Sequence, residues 1–409
     1  MGNISEVVRK LSNPSFYILS GVTTAILAIH PAQAFTITKV DLLGQSTFPT
    51  GSTFQGTELG GLSGITYDAS KNVYYSIADD RSEKAPARFY TLNIDLSQGS
   101  LKQGGVTPVG VTTLLTENGQ LFAPLSLDPE GITLTSKGTI FVSSEGDASK
   151  LVAPFVKEFS LNGEQLNTLP VRDKFLPTAT SDRGIRNNLA FESLTITPDQ
   201  KSLFTATENA IAQDGPAAAL GIGSPSRILK YNLGTGKAEQ EFLYLTEPVA
   251  AAANPAGTFS TNGLVDLLAL DNNGNFLSLE RSFSNGVGNT IKLFEVSLDK
   301  GDDISAIDSL SSVNLNTIKP ADKKLLLDFA TLNLPLDNIE GLTFGPNLAD
   351  GRRSLIVVSD NNFSPTQFTQ VLAFGIESSS TREVPEPSAL AGLALITLVG
   401  IKVKHRAKT

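Results

Sequence analysis

Cysteine is absent from this 409-residue chain, and histidine occurs only twice, as His30 and His405. Both histidines fall in terminal stretches that read as removable signals, so the central region has neither thiol nor imidazole. Ser-His-Asp hydrolysis, Cys-His chemistry and zinc held by His or Cys are thereby excluded. Any chemistry must use carboxylates, Lys or Arg, hydroxyls and hard cations such as Ca²⁺ or Mg²⁺. An exported chain without cysteine is held by its core and not by disulfides. Basic residues are scarce as well. From Phe35 to Pro385 there are 26 Lys and Arg against 39 Asp and Glu, a net charge of −13, where the whole chain carries −9. That excess argues against nucleic acid or anionic membrane as the main partner and points towards cations.

The two ends read as export signals. Arg9 and Lys10, an apolar stretch from Phe16 to Ile29 and the small-x-small site Ala32-Gln33-Ala34 predict a signal peptide over residues 1–34. Ser20, Gly21, Thr23 and Thr24 interrupt the apolar stretch and disfavour a membrane span there. In residues 381–409, Pro385-Glu386-Pro387 precedes an apolar run from Ala389 to Ile401 and a basic tail with Lys402, Lys404, Arg406 and Lys408. That order resembles the PEP-CTERM sorting signal of Gram-negative bacteria. The resemblance implies processing by an exosortase-type peptidase, transient membrane anchoring by the C-terminal helix, and a final location in the periplasm, at the cell surface or in exopolysaccharide. The basic tail after an apolar run is in any case a cytoplasmic-side anchor by the positive-inside rule.

Between these ends one plan recurs five times, in "LSGITYDASKNVYYSIADDR" (62–81), "PEGITLTSKGTIFVSSEGD" (129–147), "FESLTITPDQKSLFTATEN" (191–209), "LVDLLALDNNGNFLSLERS" (264–282) and "IEGLTFGPNLADGRRSLIVVSDNN" (339–362). Each unit is an apolar strand, a polar turn and a second strand ending in an acid, which is a β-hairpin. "DNNGN" (271–275) is read as such a turn, because its spacing does not fit a calcium loop. A third alternating run follows every hairpin and a fourth follows several, so each unit is a four-stranded blade. The last unit lacks a fourth strand, which "FTITKVDLLG" (35–44) can supply. The expectation is an all-β propeller over residues 35–380, with five blades or, if a degenerate one hides in the loops, six, closed by pairing of its two ends.

The first strand of every propeller blade lines the central channel, so equivalent positions converge. Aligned on their acids, the units place Glu130, Glu192, Asp266 and Glu340 at one position, with Ser63 in the first unit. A second set, Asp79 or Asp80, Glu145, Glu208, Glu280 and Asp360, ends the return strands. Two like charges ~8 Å apart at an effective dielectric of ~20 repel by about 2 kcal/mol. A converging set therefore needs cations, arginines or solvent. Ca²⁺, with 6–8 oxygen ligands, suits Glu130, Glu145, Glu192, Glu208, Asp266, Glu340 and Asp360. Arg81 and Arg281 follow two of the acids, and Arg183 and Arg186 precede Glu192. The bland alternative is that each acid binds backbone N–H groups and stitches neighbouring blades together.

"GLSGITYD", "DPEGITL", "NNLAFESLTITPDQKSLFTATEN", "LSLERSF" and "IEGLTF…VVSDNNF" together resemble the phytase-like domain family, labelled for its esterase-like activity of phytase. The resemblance runs from about Gly61 to Phe374. It implies a secreted propeller related to calcium-dependent phytases, with phosphoester hydrolysis as its activity. Its motifs fall on Glu130-Gly131, Asn188, Glu192, Glu280-Arg281, Glu340-Gly341 and Asp360–Phe363, while Ala190 and Ser193 stand where the family usually has glycine. Two functions stay open on the sequence. One is a Ca²⁺-dependent phosphoesterase for a phosphorylated small molecule, with Glu130, Glu192 and Glu340 catalytic and Arg81, Arg186, Arg281, Asn188 and Asn361 on the substrate. The other is a non-catalytic propeller binding exopolysaccharide or a surface protein, its metal only structural.

Overall fold

Every inner hairpin turns on a residue with positive φ: Asn72 (54°), Gly138 (76°), Gln200 (61°), Gly274 (90°) and Gly351 (87°). Short acceptors prepare these turns. Asp68 Oδ1 accepts from the Ser70 and Lys71 amides, and Asp271 Oδ1 accepts from Asn273 N at 2.8 Å and Asn275 N at 3.2 Å. "DNNGN" is thus a hairpin turn, as its spacing predicts.

The computed structural model describes residues 35–380. The predicted signal segments, 1–34 and 381–409, lie outside the described residues. Five four-stranded antiparallel sheets are present, and they are the five blades. Blade 1 comprises Leu62–Asp68, Val73–Ala78, Arg88–Ile94 and Val106–Thr113; blade 2, Pro129–Leu134, Thr139–Ser144, Phe155–Ser160 and Gln165–Leu169; blade 3, Phe191–Ile196, Ser202–Thr207, Pro225–Asn232 and Lys237–Leu245. Blade 4 comprises Ser260–Ala269, Asn275–Ser284, Gly288–Ser297 and Asp322–Asp328. Blade 5 takes Asn338–Asn347, Arg353–Asp360 and Phe368–Ser380 from the end of the chain and Phe35–Pro49 from its start. That closing pair is antiparallel from Phe35↔Ser380 to Pro49↔Phe368. No sixth blade lies among the described residues, and no helix there is long and apolar enough to cross a membrane.

The core is not central. Apolar side chains fill the clefts between successive blades, as where Phe204 of blade 3 meets Phe276 of blade 4 edge-on at 4.8 Å. Similar clusters lie between blades 4 and 5, 5 and 1, 1 and 2, and 2 and 3. Packing sheet on sheet in this way leaves the axis free of large apolar residues. The inner strands touch one another in ring order, and glycine permits the approach. A Cβ on Gly64 would sit 2.5 Å from the Glu130 carbonyl oxygen, and one on Gly341 would sit 2.7 Å from that of Ser63. The glycine of each acid-glycine motif therefore faces the neighbouring blade. Ser193, in the same place on blade 3, bears on blade packing and not on the approach of a ligand.

Candidate metal and substrate site

Each inner strand carries one irregularity near its start. Pairing slips between Leu62 and Gly64, Pro129 and Ile132, Phe191 and Ser193, Leu264 and Asp266, and Ile339 and Gly341. A bulge re-aims the extra side chain out of the ladder. The residues so displaced are Ser63, Glu130, Glu192, Val265 and Glu340. Opposite them, the residues following Ala78, Ser144, Thr207, Glu280 and Ser359 are Asp79, Glu145, Glu208, Arg281 and Asp360. Two rings of equivalent positions thus result, seven of their ten members acids, while Val265 packs in the apolar cluster between blades 4 and 5.

This register corrects blade 4 in both rings. Asp266 lies one residue past the ring position, in the place that glycine holds in blades 1, 2 and 5. Its Oδ1 accepts from Leu267 N and its Oδ2 from Leu342 N of blade 5, each at 2.8 Å, and a Leu194 amide of blade 3 also reaches it. It stitches blades, the bland alternative for an acid, and burial holds it well above the usual carboxylate range. Glu280 likewise points away from the axis. Its Oε1 accepts from Tyr244 Oη and Lys323 Nζ, and its Oε2 from the Glu247 amide and Asn262 Nδ2.

The first-blade choice falls on Asp79. Asp80 instead accepts from the Glu83, Lys84 and Ala85 amides and pairs with Arg88 at 2.7 Å. Two predicted substrate residues are also structural. Arg186 donates to the carbonyls of Ala210, Ala212 and Gly215. Asn361 is fully buried, its Oδ1 accepting from Gly61 N and Phe363 N and its Nδ2 donating to Thr50. Its neighbour Asn362 lines the site in its stead. Arg183 pairs with Asp308 at 2.8 Å in an exposed bridge.

What remains converges on a cavity of about 400 Å³, whose lining includes Asp79, Glu130, Glu192, Glu208, Glu340 and Asp360. Oxygens of Asp79, Asp128 and Glu130 lie within 4.8 Å of one another, as do those of Glu130, Glu145 and Glu192. Arg281 is the one basic residue lining the cavity among the described residues. Its Nη2 donates to Glu340 Oε1 at 2.8 Å and lies 3.7 Å from Glu208 Oε1. Arg81 is bonded to Asp128 and to Asn188 Oδ1, and Asn188 lines the cavity.

Electrostatics follow from burial. Asp79, Glu130, Glu145, Glu192 and Asp360 are all held well above the usual carboxylate range, first by burial and then by the charge of neighbouring acids, Asp128, Glu208 and Glu340 among them. Glu208 is pushed up to about 7 by burial, with Arg281 opposing and Glu340 adding to the rise. Burial likewise raises Glu340, though Arg281 and Asn338 offset part of it. Two buried oxygens, Glu145 Oε2 and Glu208 Oε1, have no hydrogen-bond donor at all.

Comparison with known proteins decides the family. The family described as "Phytase-like: Esterase-like activity of phytase" matches residues 57–363, three quarters of the chain. The chain belongs to the phytase-like family. An uncharacterized secreted protein of Arthroderma benhamiae is 30% identical over 114 residues, 22% of this chain. The match spans about a fifth of that protein's length, 21%. Among solved structures, a periplasmic gluconolactonase of Pseudomonas aeruginosa is 13% identical, with 85% of this chain and 100% of that one covered at a TM-score of 0.35. A GH62 α-L-arabinofuranosidase domain of Coprinopsis cinerea is 8% identical, covering 83% and 99% at a TM-score of 0.41.

In this phytase-like propeller the motif residues outside the two rings matter too. Asp128 completes one acidic trio, and Asn338 Nδ2 donates to Glu340 Oε1 at 2.9 Å. Both stand two residues before a ring acid, in "DPEG" and "NIEG", a same-face spacing that was legible in the strand pattern. For Asp266, Asp266→Ala is expected to lower stability by about 2–3 kcal/mol, since buried amides lose their acceptor, and to leave calcium affinity unchanged. Denaturant unfolding and calorimetric Ca²⁺ titration check the two halves; weakened calcium binding would return Asp266 to the ligand set.

Proposed function

We propose that this chain is an exported, Ca²⁺-dependent phosphoesterase acting on a phosphorylated small molecule. The observation that carries the reading is the buried, donor-less Glu145 Oε2 within the converging trio Glu130, Glu145 and Glu192. A carboxylate oxygen buried without a partner is costly, and a cation relieves the cost for several acids at once. The donors fit a hard cation, being all carboxylate oxygens, each trio drawn from two adjacent blades. Asp79, Asp128 and Glu130 would hold one ion and Glu130, Glu145 and Glu192 a second, with Glu130 shared. When bound, Ca²⁺ supplies neutralising charge and polarises a phosphoryl oxygen.

The remaining residues bind the phosphate and move protons. Arg281 lines the cavity and carries a guanidinium for an anionic oxygen there. Arg81 and Asn188 are bonded to each other on the side of blades 1 and 3. Glu208, pushed up to about 7, exchanges a proton near neutral pH and is the general acid–base candidate. Glu340 fixes the Arg281 guanidinium. Export through segments 1–34 and 381–409, with exosortase-type processing, belongs to the same proposal and is supported by their composition.

The test is hydrolysis of p-nitrophenyl phosphate by the purified chain. Calcium-dependent turnover is expected to vanish in chelator, and Glu130→Gln to lower it about 100-fold with a loss of Ca²⁺ affinity of similar order, because one carboxylate serves both trios. Turnover that persists without Ca²⁺ would overturn the metal assignment. Calcium binding without turnover of any phosphoester would favour the polysaccharide-binding propeller.

A further inference from the structure

Blade 4 breaks the acidic pattern twice, with Val265 in the first ring and Arg281 in the second. Its inner hairpin is also longer. Pairing continues past Leu264↔Glu280 to Ser260↔Ser284, whereas in blades 1–3 it stops at Leu62↔Ala78, Pro129↔Ser144 and Phe191↔Thr207. Phe283 stands two residues beyond Arg281 and so on the same face of its strand. Phe259, at the foot of the paired segment, packs against it with ring centroids 6.2 Å apart and planes at 38°. Both phenyl rings line the cavity, as do Ala217, Ala218 and Leu189. Phe259 nevertheless remains 62% exposed, forgoing the stabilisation that burial of a phenyl ring brings.

The cavity therefore has an acidic floor with a single guanidinium and one apolar wall. A polyphosphorylated polyol has no apolar face to set against that wall, and beyond the cation sites a single arginine lines the cavity to meet its several anionic groups. A single phosphate on a ring-bearing alcohol fits both walls. We infer that the site takes a phosphomonoester whose alcohol part carries an aromatic or aliphatic ring, with the phosphate at Arg281 and the ring against Phe259 and Phe283. The inference rests on the phosphoesterase reading and narrows its substrate class.

Binding, not turnover, tests it. The calcium-loaded full chain is titrated calorimetrically with inorganic phosphate, methylphosphonate, phenylphosphonate and inositol hexasulfate. Phenylphosphonate is expected to bind about tenfold more tightly than methylphosphonate, as burial of a ring face requires. Phe259→Ser, a change at an exposed side chain, should erase that ratio and leave phosphate affinity unchanged, and Phe259→Trp should restore it. Equal binding of the two phosphonates, or tightest binding of the hexasulfate, would overturn the inference while leaving the phosphoesterase reading intact. Failure of inorganic phosphate and of both phosphonates to bind would overturn the phosphoesterase reading and the inference with it.

Discussion

Arg281→Met is expected to destabilise the propeller by about 3–5 kcal/mol at neutral pH, the usual cost of breaking a buried ion pair from one side. Solvent screening is small here, since the Arg281 and Glu340 side chains are 11% and 8% exposed. Burial by itself disfavours the guanidinium, yet Glu340, Glu208 and Glu192 hold it charged. Removing it leaves Glu340 without its ion-pair partner and Glu208 with a like charge nearby and nothing opposing it. Denaturant unfolding in the absence of calcium measures the loss. The double variant Arg281→Met, Glu340→Gln should recover part of it, because the orphaned charge has then gone too. A loss below ~1 kcal/mol, the value of a surface bridge, would show that the pair does not anchor the ring.

Stripped of metal, the protein is expected to lose stability as pH rises from 5 to 8, opposite to the usual behaviour of paired carboxylates. The sign comes from proton binding. Asp79, Glu130, Glu145, Glu192 and Asp360 are raised well above their ordinary range, and Glu208 to about 7. Unfolded carboxylates titrate near 4, so between that value and the raised one the native state holds more protons than the unfolded state. Stability then falls with pH, by at most about 1.4 kcal/mol per pH unit for each such group. It is fully present below ~4 and lost as each folded-state value is passed. Calcium replaces the protons, so its stabilising effect should be small at pH 5 and largest at pH 8. Calorimetric melting at four pH values, with and without Ca²⁺, gives both slopes. A flat profile in the metal-free protein would mean that the acids are solvated and not crowded.

Most of the fold was legible because propeller hairpins are local. Alternating strands, turn residues such as Asn272-Asn273-Gly274, and an unpaired last blade are all readable along the chain. The pairing of Phe35–Pro49 with Phe368–Ser380 followed from counting strands. The site was legible as a composition, since a region without His or Cys but rich in acids at repeat positions leaves carboxylate chemistry and little else. Acid-glycine motifs located Glu130 and Glu340 within their strands, because the glycine is required where inner strands approach closely.

Blade 4 was misread for a physical reason. Aligning the units on their acids put Asp266 and Glu280 in the rings, whereas the bulge after Leu264 and the strand register across it put Val265 and Arg281 there. A bulge adds one residue to one strand, and a shift of one residue exchanges the two faces of a strand. With no glycine to mark it and its single acid one residue past the ring position, "LVDLL" carries no local sign of which residue is displaced. Sequence alone determined the class of structure, a repeat of five units and the kind of chemistry open to them, all of which depend on periodicity and residue type; that no sixth blade joins them among the described residues was decided by the structure. Tertiary structure decided which side chains face the axis, that a single arginine stands among the acids, and that an aromatic wall rises beside it. Those facts depend on register between strands far apart in the chain, where a slip of one residue turns a ligand into a stitch between blades.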